Sequence, residues 1–130
     1  MAANNIPIFV LTPRVSGCTV SVANTNYDGT GTLGTVLAAG ANGSRIDRVK
    51  IKCRGSSAAA GAVRFYTYDG VSAYRFLTEV LFPIIAASAT VASFEQDVDL
   101  NLFLPTGYSL VCAPTVTQSM DVTPTIAGDF

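Results

Sequence analysis

Apolar and polar residues alternate at a spacing of two along most of this chain, and no window holds the 3.6 spacing of a helix. Nine runs carry the pattern: IPIFVL (6–11), CTVSVA (18–23), TLGTVLA (32–38), RIDRVKIKC (45–53), AVRFYTY (62–68), AYRFLTEVLF (73–82), ATVASFEQDVDLNLFL (89–104), YSLVCA (108–113) and MDVTPTI (120–126). They are rich in β-branched and aromatic residues, and Gly, Pro, Asn or Asp bound most of them. Turn signals fall at NYDGTG, GANGS, RGSSAAAG, YDGVS and LPTGY, with Asp69-Gly70 the clearest hairpin signal and suited to a tight turn. The alanine-rich patches at 58–60 and 86–92 are flanked by Gly and Ser or interrupted by Thr and Val, which argues against helix. Eight or nine short strands in 130 residues predict a single all-β domain spanning 1–130. The expected architecture is an antiparallel β-sandwich, jelly-roll-like, with a short arm at about 1–6 and the last four residues outside the core.

The chain has no histidine, which removes the commonest general base and metal ligand and excludes Ser–His–Asp or Cys–His nucleophilic arrangements. Cys18, Cys53 and Cys112 are odd in number, widely spaced and set in apolar runs, so they are expected as core thiols and not as a zinc site. GTGTLG (29–34) superficially resembles a phosphate loop, but it leads into another strand-like run and reads as a flexible turn. No catalytic residue, cofactor site or metal site is expected, and the chain reads as a non-enzyme. The start of the sequence lacks the pattern of a signal peptide, and the longest apolar run, VLFPIIAASATVA, is broken by Pro83 and too short to span a bilayer, so no membrane association is expected.

Charge is sparse and clustered. Charged residues make up 13% of the chain, about half the usual share, while apolar residues make up 49%. Such a composition suits a surface that packs on other protein, and equally a Thr-rich β-domain that is simply weakly charged. Five of the eight basic residues, Arg45, Arg48, Lys50, Lys52 and Arg54, lie in one stretch. On a strand, Arg48, Lys50, Lys52 and Arg54 share one face while Val49, Ile51 and Cys53 take the other. Glu95, Asp97 and Asp99 form a matching acidic ladder opposite Phe94, Val98, Leu100 and Leu102. Use of these carboxylates as a glycosidase pair or for calcium is the lesser expectation; ion pairing is the greater. No aromatic residue interleaves the basic ladder, so nucleic-acid binding is disfavoured, although Tyr66 and Tyr68 on a nearby strand could be exposed. The eight residues of the two ladders are the expected interface, paired either within a sheet or between subunits.

AGANGSRIDRVKIKCRG (39–55), VRFYTYDG (63–70), DLNLFLPTGYSLVCA (99–113) and the terminal GDF together resemble a family of small proteins encoded in phage and prophage structural-gene clusters. The similarity runs from about residue 6 to 130, and the three cysteines and the RGSSAAAGAV turn depart from it. The resemblance implies a virion protein assembled in the host cytoplasm: a capsid cement or head-decoration protein, trimeric, packing on the major capsid protein or other virion proteins without covalent chemistry. Its alternative is a tail or head-fibre module recognising a host glycan or receptor, for which Tyr27, Tyr68, Tyr74 and Tyr108 stand near turns.

Overall fold

The computed structural model describes residues 10–130, which form nine strands and no helix. They are β1 (Thr12–Pro13), β2 (Cys18–Val20), β3 (Gly34–Ala38), β4 (Ser44–Cys53), β5 (Gly61–Tyr68), β6 (Tyr74–Phe82), β7 (Glu95–Leu104), β8 (Ser109–Pro114) and β9 (Met120–Asp129). Sheet I runs β1-β9-β4-β7 with β2 also on β9, sheet II runs β3-β8-β5-β6, and all pairs are antiparallel. Since β1 and β2 are two pieces of one edge strand, the nine fill eight positions. From β2 to β5, and again from β6 to β9, successive strands alternate between sheets, which is the Greek-key path of a jelly roll. The break between β1 and β2 falls at Gly17, whose φ is +120° and whose missing side chain would stand 2.6 Å from the Val122 carbonyl.

The core lies between the sheets. Val49, Ile51 and Cys53 from β4 and Met120 and Val122 from β9 meet Val63 and Phe65 from β5 and Leu110 and Cys112 from β8. Alternation breaks in β4 at Asp47: Ile46 and Val49 are both buried, and the pairing with β7 shifts between Ile46 and Arg48. This irregularity turns both Asp47 and Arg48 outward. On the facing strand, Asn101 takes φ +48°, a conformation that asparagine tolerates better than most residues.

Several boundaries differ from the sequence expectation. The expected run 6–11 and the arm at 1–6 lie wholly or largely outside the described residues, and the first described strand starts at Thr12. The expected strand 89–104 begins only at Glu95, because 83–94 form a loop held by side chains of 56–57. Asp69-Gly70 does open the β5–β6 hairpin, but in a five-residue loop: Asp69 Oδ1 accepts from the amides of Val71, Ser72 and Ala73. The GTGTLG segment is not a loose turn, since buried Asn24 donates to the carbonyls of Thr30 and Thr32 and accepts from Asn26 N–H.

The last four residues are part of the fold and not an arm. β9 runs to Asp129, whose carboxylate accepts from Arg14 Nη1 at 3.0 Å and from the Ser44 hydroxyl. Phe130 then donates its amide to Gly43 and stacks on Phe103. The Ser44 hydroxyl first, and the Arg14 guanidinium with it, hold the Asp129 carboxyl below its ordinary range. A carboxyl depressed on folding stabilises fully above its unfolded pKa, and that contribution is lost as pH falls through the folded value. Asp129→Ala is therefore expected to cost about 1–2 kcal/mol at neutral pH. Unfolding curves of the two proteins should converge as the pH drops below about 4.

Candidate interaction surfaces

All eight ladder residues meet on or beside the outer face of sheet I. The β4–β7 register sets Arg48 opposite Asp99, Lys50 opposite Asp97 and Lys52 opposite Glu95. Arg48 Nε donates to Asp99 at 2.7 Å, Lys52 Nζ lies 3.7 Å from Glu95, and Lys50 Nζ lies 3.9 Å from both Glu95 and Asp97. Arg54 pairs with Asp121 of β9 at 2.8 Å, and Arg45 pairs with Asp47 at 2.8 Å while covering the Phe103 ring. Arg54, with the Thr19 hydroxyl, holds the Asp121 carboxyl below its usual range. Pairing thus runs within the sheet.

Asp47, Glu95, Asp97, Asp99 and Asp121 match the five cations one for one, so this face carries no net charge. A phosphate backbone would have to displace carboxylates to reach these cations, and counterion release would drive little binding. Such exposed pairs chiefly fix register, since each adds little stability. A double-mutant cycle on Lys50 and Asp97 is expected to give a coupling of about 0.5 kcal/mol, falling further in molar salt.

The aromatic side chains engage one another more than solvent. Tyr66, whose exposure the sequence left open, is buried, and its hydroxyl donates to the Asn26 carbonyl at 2.6 Å. Tyr68 stacks on Tyr74 at 4.3 Å between ring centres. Tyr27 is 63% exposed but stacks on Phe76, and the Arg64 guanidinium lies 3.8 Å from its ring centre. Arg64 is in turn bound by Glu79 at 3.2 Å and by the Thr25 carbonyl at 2.9 Å. These contacts fasten the 21–33 loop onto sheet II, and beside them Tyr27, Arg64, Glu79 and Leu81 line a shallow cleft of about 470 Å³.

A second surface is poor in charge, with cations only at its border: Arg54 is paired with Asp121, and Lys52 Nζ reaches the Ser93 carbonyl at 3.4 Å. Loops 54–60 and 83–94 lie side by side at one end of the sandwich. Ser57 and Ile85 exchange backbone hydrogen bonds at 2.9 and 3.2 Å, the Ser57 hydroxyl donates to the Pro83 carbonyl at 2.7 Å, and Ala87 N–H donates to the Ser56 hydroxyl at 2.9 Å. With their backbones tied together, the loops turn small and branched apolar side chains outward. Ala58, Ala59 and Ala60 are exposed, Ile84 is 65% exposed and Val91 47%. No charged residue occurs in 55–63 or in 80–94. The apolar run around Pro83 supplies most of this surface, and its residues 89–92 lie in the loop and not in the expected strand.

Among the described residues, no group of three or more Cys, Asp or Glu side chains converges as a metal site, and no helix is long and apolar enough to cross a membrane. No protein-family model matches this sequence, and no curated protein matches it. What the chain does must therefore follow from its own surfaces.

Proposed function

We propose that the chain is a structural protein of a bacteriophage virion, a cement or decoration protein that stabilises the head by non-covalent packing between capsid subunits. The carrying observation is the charge-poor, apolar loop end around Ile84 and Val91. Exposed apolar side chains gathered on paired loops of a small domain suit protein contact, and the centres of protein interfaces are depleted of charge. The jelly roll suits this role, since capsid domains are among its common uses. The ion pairs on sheet I neutralise one another, so the apolar loop end is the surface the reading assigns to the contact. The proposed partners are the major capsid protein or other virion proteins, with the chain itself a homotrimer assembled in the host cytoplasm.

Sedimentation and light scattering of the purified chain, with and without capsids, test the reading. Self-association and co-sedimentation with capsids are expected. A strict monomer without affinity for capsids would overturn it. The cleft beside Tyr27 favours a second reading, recognition of a host glycan by a tail or fibre module. Glycan-array binding by the isolated domain, without any effect on particle stability, would select that reading instead.

A further inference from the structure

The three cysteines are not equivalent in space. Cys18 lies on β2, on the edge of sheet I, while Cys112 lies on β8 in sheet II, one strand in from the edge strand β3. The edges formed by β2 and β3 are on the same side of the sandwich and touch, and β2 also reaches β8. What closes the distance is Gly34, the cross-strand partner of Cys112 on β3. A side chain there would begin 2.6 Å from Val20 Cγ1 and 2.9 Å from Cys18 Sγ, so the sulfur of Cys18 shares with Val20 the space that the glycine leaves open. Directly opposed residues of an antiparallel pair project from the same face, which aims Cys112 into that same space. Cys112 is fully buried in the core and Cys18 is half-buried against it. Cys53 stands apart from this pair, its sulfur accepting from Gln118 Nε2 at 3.1 Å.

We propose that Cys18 and Cys112 are an oxidisable dithiol, whose disulfide would tie the edge of sheet I to the interior of sheet II. The order of events follows from access. With a small disulfide such as oxidised glutathione as oxidant, the Cys18 thiolate attacks one glutathione sulfur, displacing the other half as a thiolate and leaving a mixed disulfide on Cys18. Cys112 then gives up its proton and attacks the Cys18 sulfur, releasing the second glutathione thiol. Two protein thiols and one glutathione disulfide thus become one protein disulfide and two glutathione thiols. The half-exposed cysteine is the one an oxidant can reach, and its contact with Cys112 also holds the Cys18 thiol below its ordinary range. Cys112, pushed up by that same contact and by burial, suits the resolving role. The inference holds whatever surface the chain assembles on.

Trypsin places the three cysteines in separate peptides, 15–45, 53–54 and 76–130, because its cleavage sites at Arg14, Arg45, Lys52, Arg54 and Arg75 separate them. The folded chain, treated with oxidised glutathione and digested without reductant, is expected to yield 15–45 linked to 76–130, with Cys53 still alkylatable. Cys112→Ser should stop at the mixed disulfide on Cys18, and Cys18→Ser should form neither product. The linked wild-type chain should also unfold at a higher urea concentration than the reduced chain, as a cross-link between distant residues restricts the unfolded state. Wild-type protein that keeps both thiols free in excess oxidant, or that links through Cys53, would overturn the proposal. A urea-unfolded control in which all three cysteines react shows that the oxidant is competent. That readout needs no variant to fold.

Discussion

Ile84→Asp together with Val91→Asp is expected to abolish association of the chain with its assembly, lowering affinity by more than about a hundredfold. Each side chain now stands in solvent, so a carboxylate there costs the isolated domain nothing beyond the usual scatter of surface substitutions, within about 0.5 kcal/mol. In a closed contact the same carboxylate would lose its water, and an ionised carboxylate buried against apolar surface is costly. Urea unfolding and co-sedimentation measured on the same samples separate the two effects. An unchanged unfolding midpoint with lost association is the expected result. Association as strong as in the wild type would move the contact away from this end of the molecule.

Phe65→Ala should remove about 3–5 kcal/mol of stability, by lost burial and by the cavity left between the sheets. Phe65 is 0% exposed and packs at the centre of β5 among Val63, Leu110 and Cys112. Its neighbour Tyr66 faces the other way, under the 21–33 loop, where only its hydroxyl bond to Asn26 is at stake. Tyr66→Phe is accordingly expected to cost only about 1 kcal/mol. Equilibrium unfolding in urea measures both. Equal losses at the two positions would contradict the placement of Phe65, and not Tyr66, between the sheets.

The opposite placements of Phe65 and Tyr66 show how far local pattern reaches. Alternation in RVKIKC placed Val49, Ile51 and Cys53 inward and the cations outward, because a strand sends successive side chains to opposite faces wherever it lies. Local pattern failed in β5, where Arg64 and Tyr66 are buried although they point away from the core: the 21–33 loop covers them. It failed again at 89–94, where the pattern suggested strand but Ser88 and Val91 close a local turn and β7 begins only at Glu95.

The sequence by itself determined the all-β class, the faces of the two charged ladders and the lack of histidine chemistry, since each follows from residue identity and a spacing of two. Only the tertiary structure decided that the ladders neutralise each other. Arg48 and Asp99 are 51 positions apart, and their meeting depends on β4 and β7 being neighbours in one sheet. The same holds for Cys18 and Cys112, brought together across a sandwich edge by a glycine on a third strand. Strand order and register are set by the packing of the whole core, and local periodicity carries no record of which strand lies beside which.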